Sequence, residues 1–159
     1  MRTKETDPLD TLIGIAKTYC QEKIKGDHPA SAFVECKKGY ATIPKLEYLP
    51  KKFFLPVMTK ILKDLEAERV VFVSEAWVCP DIKPGDPRIP LLHSGELEVH
   101  DMPEAKDGVF IMATENKIRV SMSTAEITTK NGERVLSEWK DNDDSLNEKP
   151  SCQMVITEW

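Results

Sequence analysis

The chain has 159 residues, 40% hydrophobic and 31% charged, which suits one domain with a sizeable core and is too apolar for disorder. Lys and Arg number 22 against 27 Asp and Glu, and the formal net charge of -5 argues against a nucleic-acid binder, which concentrates positive charge on one face. No apolar run approaches the ~20 residues of a membrane span, and residues 1–8 are polar with no signal-peptide core behind them, so the expectation is a soluble cytoplasmic protein without membrane contact.

In chain order, the first predicted element is a helix. Asp7 is a good N-cap, Pro8 suits a first turn, and Leu9, Leu12, Ile13, Ala16, Tyr19, Cys20 and Ile24 follow at helical spacing until Gly26. Gly14 weakens this helix by ~1 kcal/mol relative to Ala and reads as room for a close neighbour. Ser31–Cys36 reads as a short strand. Residues 39–50 read as a loop with one extended piece, because Pro44 and Pro50 punctuate them. A second helix is predicted from about Leu55 to Glu66, with Phe54, Met58, Ile61, Leu62 and Leu65 in one stripe and Pro56 tolerated in the first turn.

Residues 69–79 form the clearest strand, an apolar run of the kind covered on both faces. Residues 81–91, among Pro80, Pro84, Pro87 and Pro90, read as a loop. An antiparallel meander is expected next, with strands at 96–100, 108–114, 117–128, 133–139 and 152–159. Glu115-Asn116 reads as a two-residue turn, and Asn131-Gly132 as a type I′ turn, since both residues accept positive φ. Residues 140–150 read as a mobile acidic loop. The expected whole is a single α+β domain over residues 1–159. Its two N-terminal-half helices pack on one face of a mostly antiparallel sheet of five or six strands.

Cys20, Cys36, Cys79 and Cys152 form no C-x-x-C pair and read as small buried apolar residues rather than a metal or disulfide framework. Lys37, Lys38, Lys45, Lys51 and Lys52 are interleaved with Tyr40, Tyr48, Phe53 and Phe54. Such a stretch can bind single strands by stacking, but lysines on the surface with aromatics turned inward is the simpler expectation.

Glu75 is the first candidate for chemistry. Flanked by apolar residues on both sides, it reads either as a buried carboxylate serving as a general acid or base, or as a structural one near the strand's end that reaches solvent or pairs with a cation, with Arg119 as the expected partner. His93 is a second catalytic candidate, and Trp77 and Arg119 are candidate ligand-binding residues. If residues 96–100 are a strand, Glu96, Glu98 and His100 share one face, about 7 Å between alternate residues, and offer ligands to a divalent metal. Same-face residues on one strand diverge too far to chelate unaided, so a solvated polar face is the expectation, with no cofactor. The chain has no P-loop, no G-x-G-x-x-G, no H-E-x-x-H and no G-x-S-x-G.

The stretch V-V-F-V-S-E-A-W at 70–77, followed by a proline-rich loop and the acidic residues 96–99, resembles a group of small uncharacterised prokaryotic and phage proteins. In those a strand ending in S-E-A-W precedes a loop and an R-x-E strand. Here His93-Ser94-Gly95 stands near the place of the arginine. The resemblance covers the middle third of the chain and implies no activity; it directs attention to Glu75 and Trp77.

Two functional expectations result. One is a non-enzymatic interaction or assembly protein forming a homo-oligomer, motivated by an exposed terminal strand with Trp159 at its tip. The other is an enzyme or small-ligand binder with a site between Glu75, the 81–91 loop, His93 and His100.

Overall fold

The computed structural model describes residues 7–24, 30–78, 82–83, 85–94, 96–144, 156 and 158–159. Ten regular elements follow in order: α1 (Pro8–Lys23), β1 (Ser31–Cys36), β2 (Gly39–Ile43), α2 (Lys51–Asp64), β3 (Ala67–Val78), α3 (Ile89–Ser94), β4 (Lys106–Glu115), β5 (Arg119–Lys130), β6 (Glu133–Leu136) and β7 (Lys140–Asp144). Short 3-10 turns lie at Leu46–Tyr48 and Val99–Asp101. The strands form one curled α+β sheet in the order β2-β1-β3-β4-β5-β6, with β7 also on β5 and every ladder antiparallel.

Strand periodicity sets the packing. In β3, Val70 and Phe72 face Phe54, Met58 and Leu62 of α2, whereas Val71 and Val73 face Leu9, Leu12, Ile13, Ala16 and Cys20 of α1. The two helices therefore cover opposite faces, not one face as expected. The reason is in β3 itself: a strand apolar on both sides needs cover on both, and each helix supplies one layer. Asp7 caps α1 as expected, its Oδ1 accepting from Leu9 N at 2.8 Å. Gly14 has no packing role, since a Cβ there would meet nothing within 4 Å. Helix α2 starts at Lys51, four residues before the expected place, which leaves Pro56 inside the helix.

Ile127 pairs with Leu136 and Thr124 with Lys140, so one side advances three residues while the other advances four. Strands β6 and β7 are thus one strand broken by a bulge at 137–139. Residues 140–144, expected in a mobile loop, are the second half of this strand. A run of charged residues is compatible with an edge strand as well as with a loop. The remainder of that expected loop, and most of the expected last strand, lie outside the described residues. Residues 96–100 are not a strand either: alternation over five residues is too short to outweigh a 3-10 turn there. The Asn131-Gly132 turn has φ of 51° and 79°, the type I′ signature. The β4–β5 turn is longer than expected, running through Asn116 and Ile118 with Lys117 at φ 62°.

Trp159 is half-buried against the α2-side core. Its indole Nε1 donates to Ala67 O at 2.8 Å, and its backbone N donates to Asn116 Oδ1 at 3.1 Å. Nearby, Thr114 Oγ1 donates to Ile156 O at 2.6 Å. The expected exposed tryptophan tip is therefore a docked residue, because an indole gains most from burial when its N–H finds an acceptor.

Candidate functional site

Glu75 and Trp77 alternate along β3 on the α1 side of the sheet, beyond the end that α1 covers. Glu75 is not buried: its side chain keeps 35% of its surface exposed, and Arg134 Nη2 on β6 donates to its Oε1 at 2.9 Å. Its expected partner, Arg119, is at the other end of the sheet. Glu75 lies opposite Val109 and, through it, Ala125; Arg119 lies opposite Glu115 and, through it, Arg69. Six residues of strand, about 20 Å, separate the two positions. Arg119 instead pairs with Asp10 at 2.9 Å and Asp7 at 3.6 Å and holds the start of α1 to β5. Trp77 is half exposed, opposite Asp107.

His93 lies in α3, whose Pro90 sits in a first turn that tolerates it. The 3-10 turn brings Glu98 and His100 together with Asp101, and leaves Glu96 out. Glu98 Oε2 is 3.0 Å from His100 Nδ1, and Asp101 Oδ1 is 3.3 Å from His100 Nε2. Both ring nitrogens thus face carboxylates in an exposed cluster. Just upstream, Arg88 clamps Asp86 with two bonds of 3.0 and 2.8 Å and reaches Glu104 at 2.7 Å. Hydrogen bonds from Arg88 pull the Asp86 carboxyl down to about 2, and the clamp ties the proline-rich segment to the chain after the 3-10 turn. Arg119 therefore does not share a site with Glu75.

A row of charges that sequence reasoning missed crosses the far end of the α1-side face. Glu35, Arg69, Glu115 and Arg119 are register neighbours on β1, β3, β4 and β5. Arg69 bonds Glu115 at 2.7 Å and Glu35 at 3.0 Å. Burial alone pulls the Arg69 guanidinium down, but the bonds and charges of Glu115 and Glu35 outweigh it and hold its pKa above the ordinary value. An open cavity of about 500 Å³ beside this row is lined by Arg69, Glu115, Lys63 and Trp159; its arginine and glutamate are bonded to each other. Only the register of four strands shows this row, and no local motif encodes it.

The two margins of the sheet differ sharply. The β6–β7 margin carries a bulge and the charged residues Glu133, Arg134, Lys140, Asp141, Asp143 and Asp144, the usual protection of a sheet edge. Strand β2, the other margin, reads Gly-Tyr-Ala-Thr-Ile without a charge, and among the described residues only β1 pairs with it. Cys36 and Gly39 flank the two-residue turn Lys37–Lys38 and are register partners, so they exchange both hydrogen bonds. By alternation Gly39, Ala41 and Ile43 bond inward to β1, and the backbone N–H and C=O of Tyr40 and Thr42 point out.

Tyr40 is 77% exposed and Tyr48 79%, and Phe53 is also exposed under Lys52 Nζ at 4.9 Å. Of the aromatics expected to turn inward, only Phe54 does. Ala41 and Ile43 take the inward, α2-side positions of β2, which puts Tyr40 on the opposite face. The sheet's α1 layer reaches β1, where Tyr19 packs on Phe33 at 5.2 Å. No family model matches this sequence, and neither a curated protein nor a solved structure matches it.

Proposed function

We propose that this is a non-enzymatic interaction protein that self-associates, and that strand β2 is the surface it uses. The observation that carries the reading is the open β2 edge, which is uncharged, unpaired among the described residues and flanked by the exposed Tyr40. Edges of this kind template pairing with another strand, and aromatic residues are enriched where chains meet.

Sedimentation velocity over a wide concentration range tests this. The expected result is a dimer that Tyr40→Lys converts to a folded monomer with an unchanged circular-dichroism spectrum, whose melting temperature no longer rises with protein concentration. A strict monomer at the highest concentration would overturn the reading.

A further inference from the structure

We infer that the occupant of the β2 edge is a second copy of the same strand, antiparallel across a two-fold axis at Ala41, closing a dimer that cannot grow further. The inference rests on the reading that the protein self-associates, and adds the partner, the register and the stoichiometry.

The register follows from which backbone groups face outward. Tyr40 and Thr42 present both N–H and C=O to the open side, and Ala41 between them bonds inward to Val34. Two such strands related by a two-fold axis at Ala41 place Tyr40 of each copy opposite Thr42 of the other. Each of those pairs exchanges two hydrogen bonds, so every outward group of the two residues is satisfied. An aromatic ring opposite a β-branched residue is also a favourable cross-strand pair.

A shift of the axis to either neighbour is worse. An axis at Thr42 sets Tyr40 against Pro44, which has no N–H and precedes Lys45 at φ 60°, where the chain leaves the extended form. An axis at Tyr40 sets Thr42 against Lys38, which belongs to the hairpin turn and not to the strand. The lysines at 37, 38 and 45 and the proline at 44 thus bracket a window of pairing one short strand long.

Closure follows from the contrast between the margins. An open fibre needs two compatible edges on each molecule, whereas an isologous contact uses one edge twice. With the β6–β7 margin bulged and charged, β2 is the one margin among the described residues open to pairing, and pairing stops at two copies.

The axis makes a geometric demand. Ala41 of the two copies would form a non-hydrogen-bonded pair, with Cα atoms about 4.5 Å apart, within disulfide range. Ala41→Cys should therefore give a disulfide between the two introduced thiols under mild oxidation, mapped by peptide mass. Mixing Tyr40→Cys chains with Thr42→Cys chains should give a cross-linked heterodimer, which serves if the first variant fails to fold. Thr42→Pro removes an outward N–H, leaves the inward ladder intact, and should weaken dimerisation at least tenfold with the circular-dichroism spectrum of the folded chain unchanged.

A wild-type dimer that forms neither cross-link, or that survives Thr42→Pro, overturns this inference and leaves self-association standing. A wild-type monomer overturns the underlying reading itself. Higher species growing with concentration overturn closure.

Discussion

The Glu75–Arg134 ion pair joins β3 to β6 across two intervening strands, and its side chains are 35% and 38% exposed. Pairs so open to water contribute 0–1 kcal/mol, so Glu75→Gln should cost less than about 1 kcal/mol in urea denaturation. A loss of about 3 kcal/mol would show a desolvated pair instead. That Glu75 has a cationic partner was legible in its setting; which arginine it meets depends on the curl of the sheet, which no local pattern encodes. Asp141 was not legible at all, since it fell in a stretch read as loop. Hydrogen bonds from Lys17 and Ser123, at 2.8 and 2.6 Å, hold its carboxyl below the ordinary range. A carboxylate depressed in this way adds stability above its unfolded pKa, about 3.9, and loses it as pH falls through the folded value. Asp141→Asn should therefore melt below wild type at pH 7, by less than about 1 kcal/mol given that the side chain is 56% exposed, and the gap should close as pH drops below about 4. A gap constant from pH 3 to 7 would assign the effect to lost packing.

At the scale of elements, the β5–β6 turn isolates one physical cost. Gly132 sits at φ 79°, and a Cβ there would meet nothing within 4 Å, so a substitution pays only in backbone strain. Gly132→Val should destabilise by about 1–2 kcal/mol, because a β-branched residue resists positive φ. Melting at the wild-type temperature would reject the turn assignment. Elements with sustained periodicity, α1, β3, β4 and β5, were legible for that reason. The start of α2 was hidden by Pro56, read as a first-turn residue although the apolar stripe at Phe54 already belonged to the helix. Strand β7 was hidden by its polarity, and β2 by the prolines that follow it.

Over the whole molecule, the α+β class was legible and the layering was not. The apolar run of β3 demanded cover on both faces, yet grouping the helices by their place in the sequence put them on one. The candidate interface was hidden for a related reason. An edge strand buries one side at most, so its pattern is weak, and its significance comes from what fails to pair with it. The placement of α1 bears on how the chain is made. Its apolar stripe rests on Val71 and Val73 of β3 and on Val109, Ile111 and Ala113 of β4, the last of which lies about 90 residues beyond the helix. At roughly 5–20 residues per second of synthesis, that stripe waits about 5–20 s for its seat to exist. A single helix of 16 residues is marginal in water without its tertiary contacts. Helix α1 is therefore buried long after it is made, and in the interval its leucines are open to any chaperone that binds nascent apolar segments.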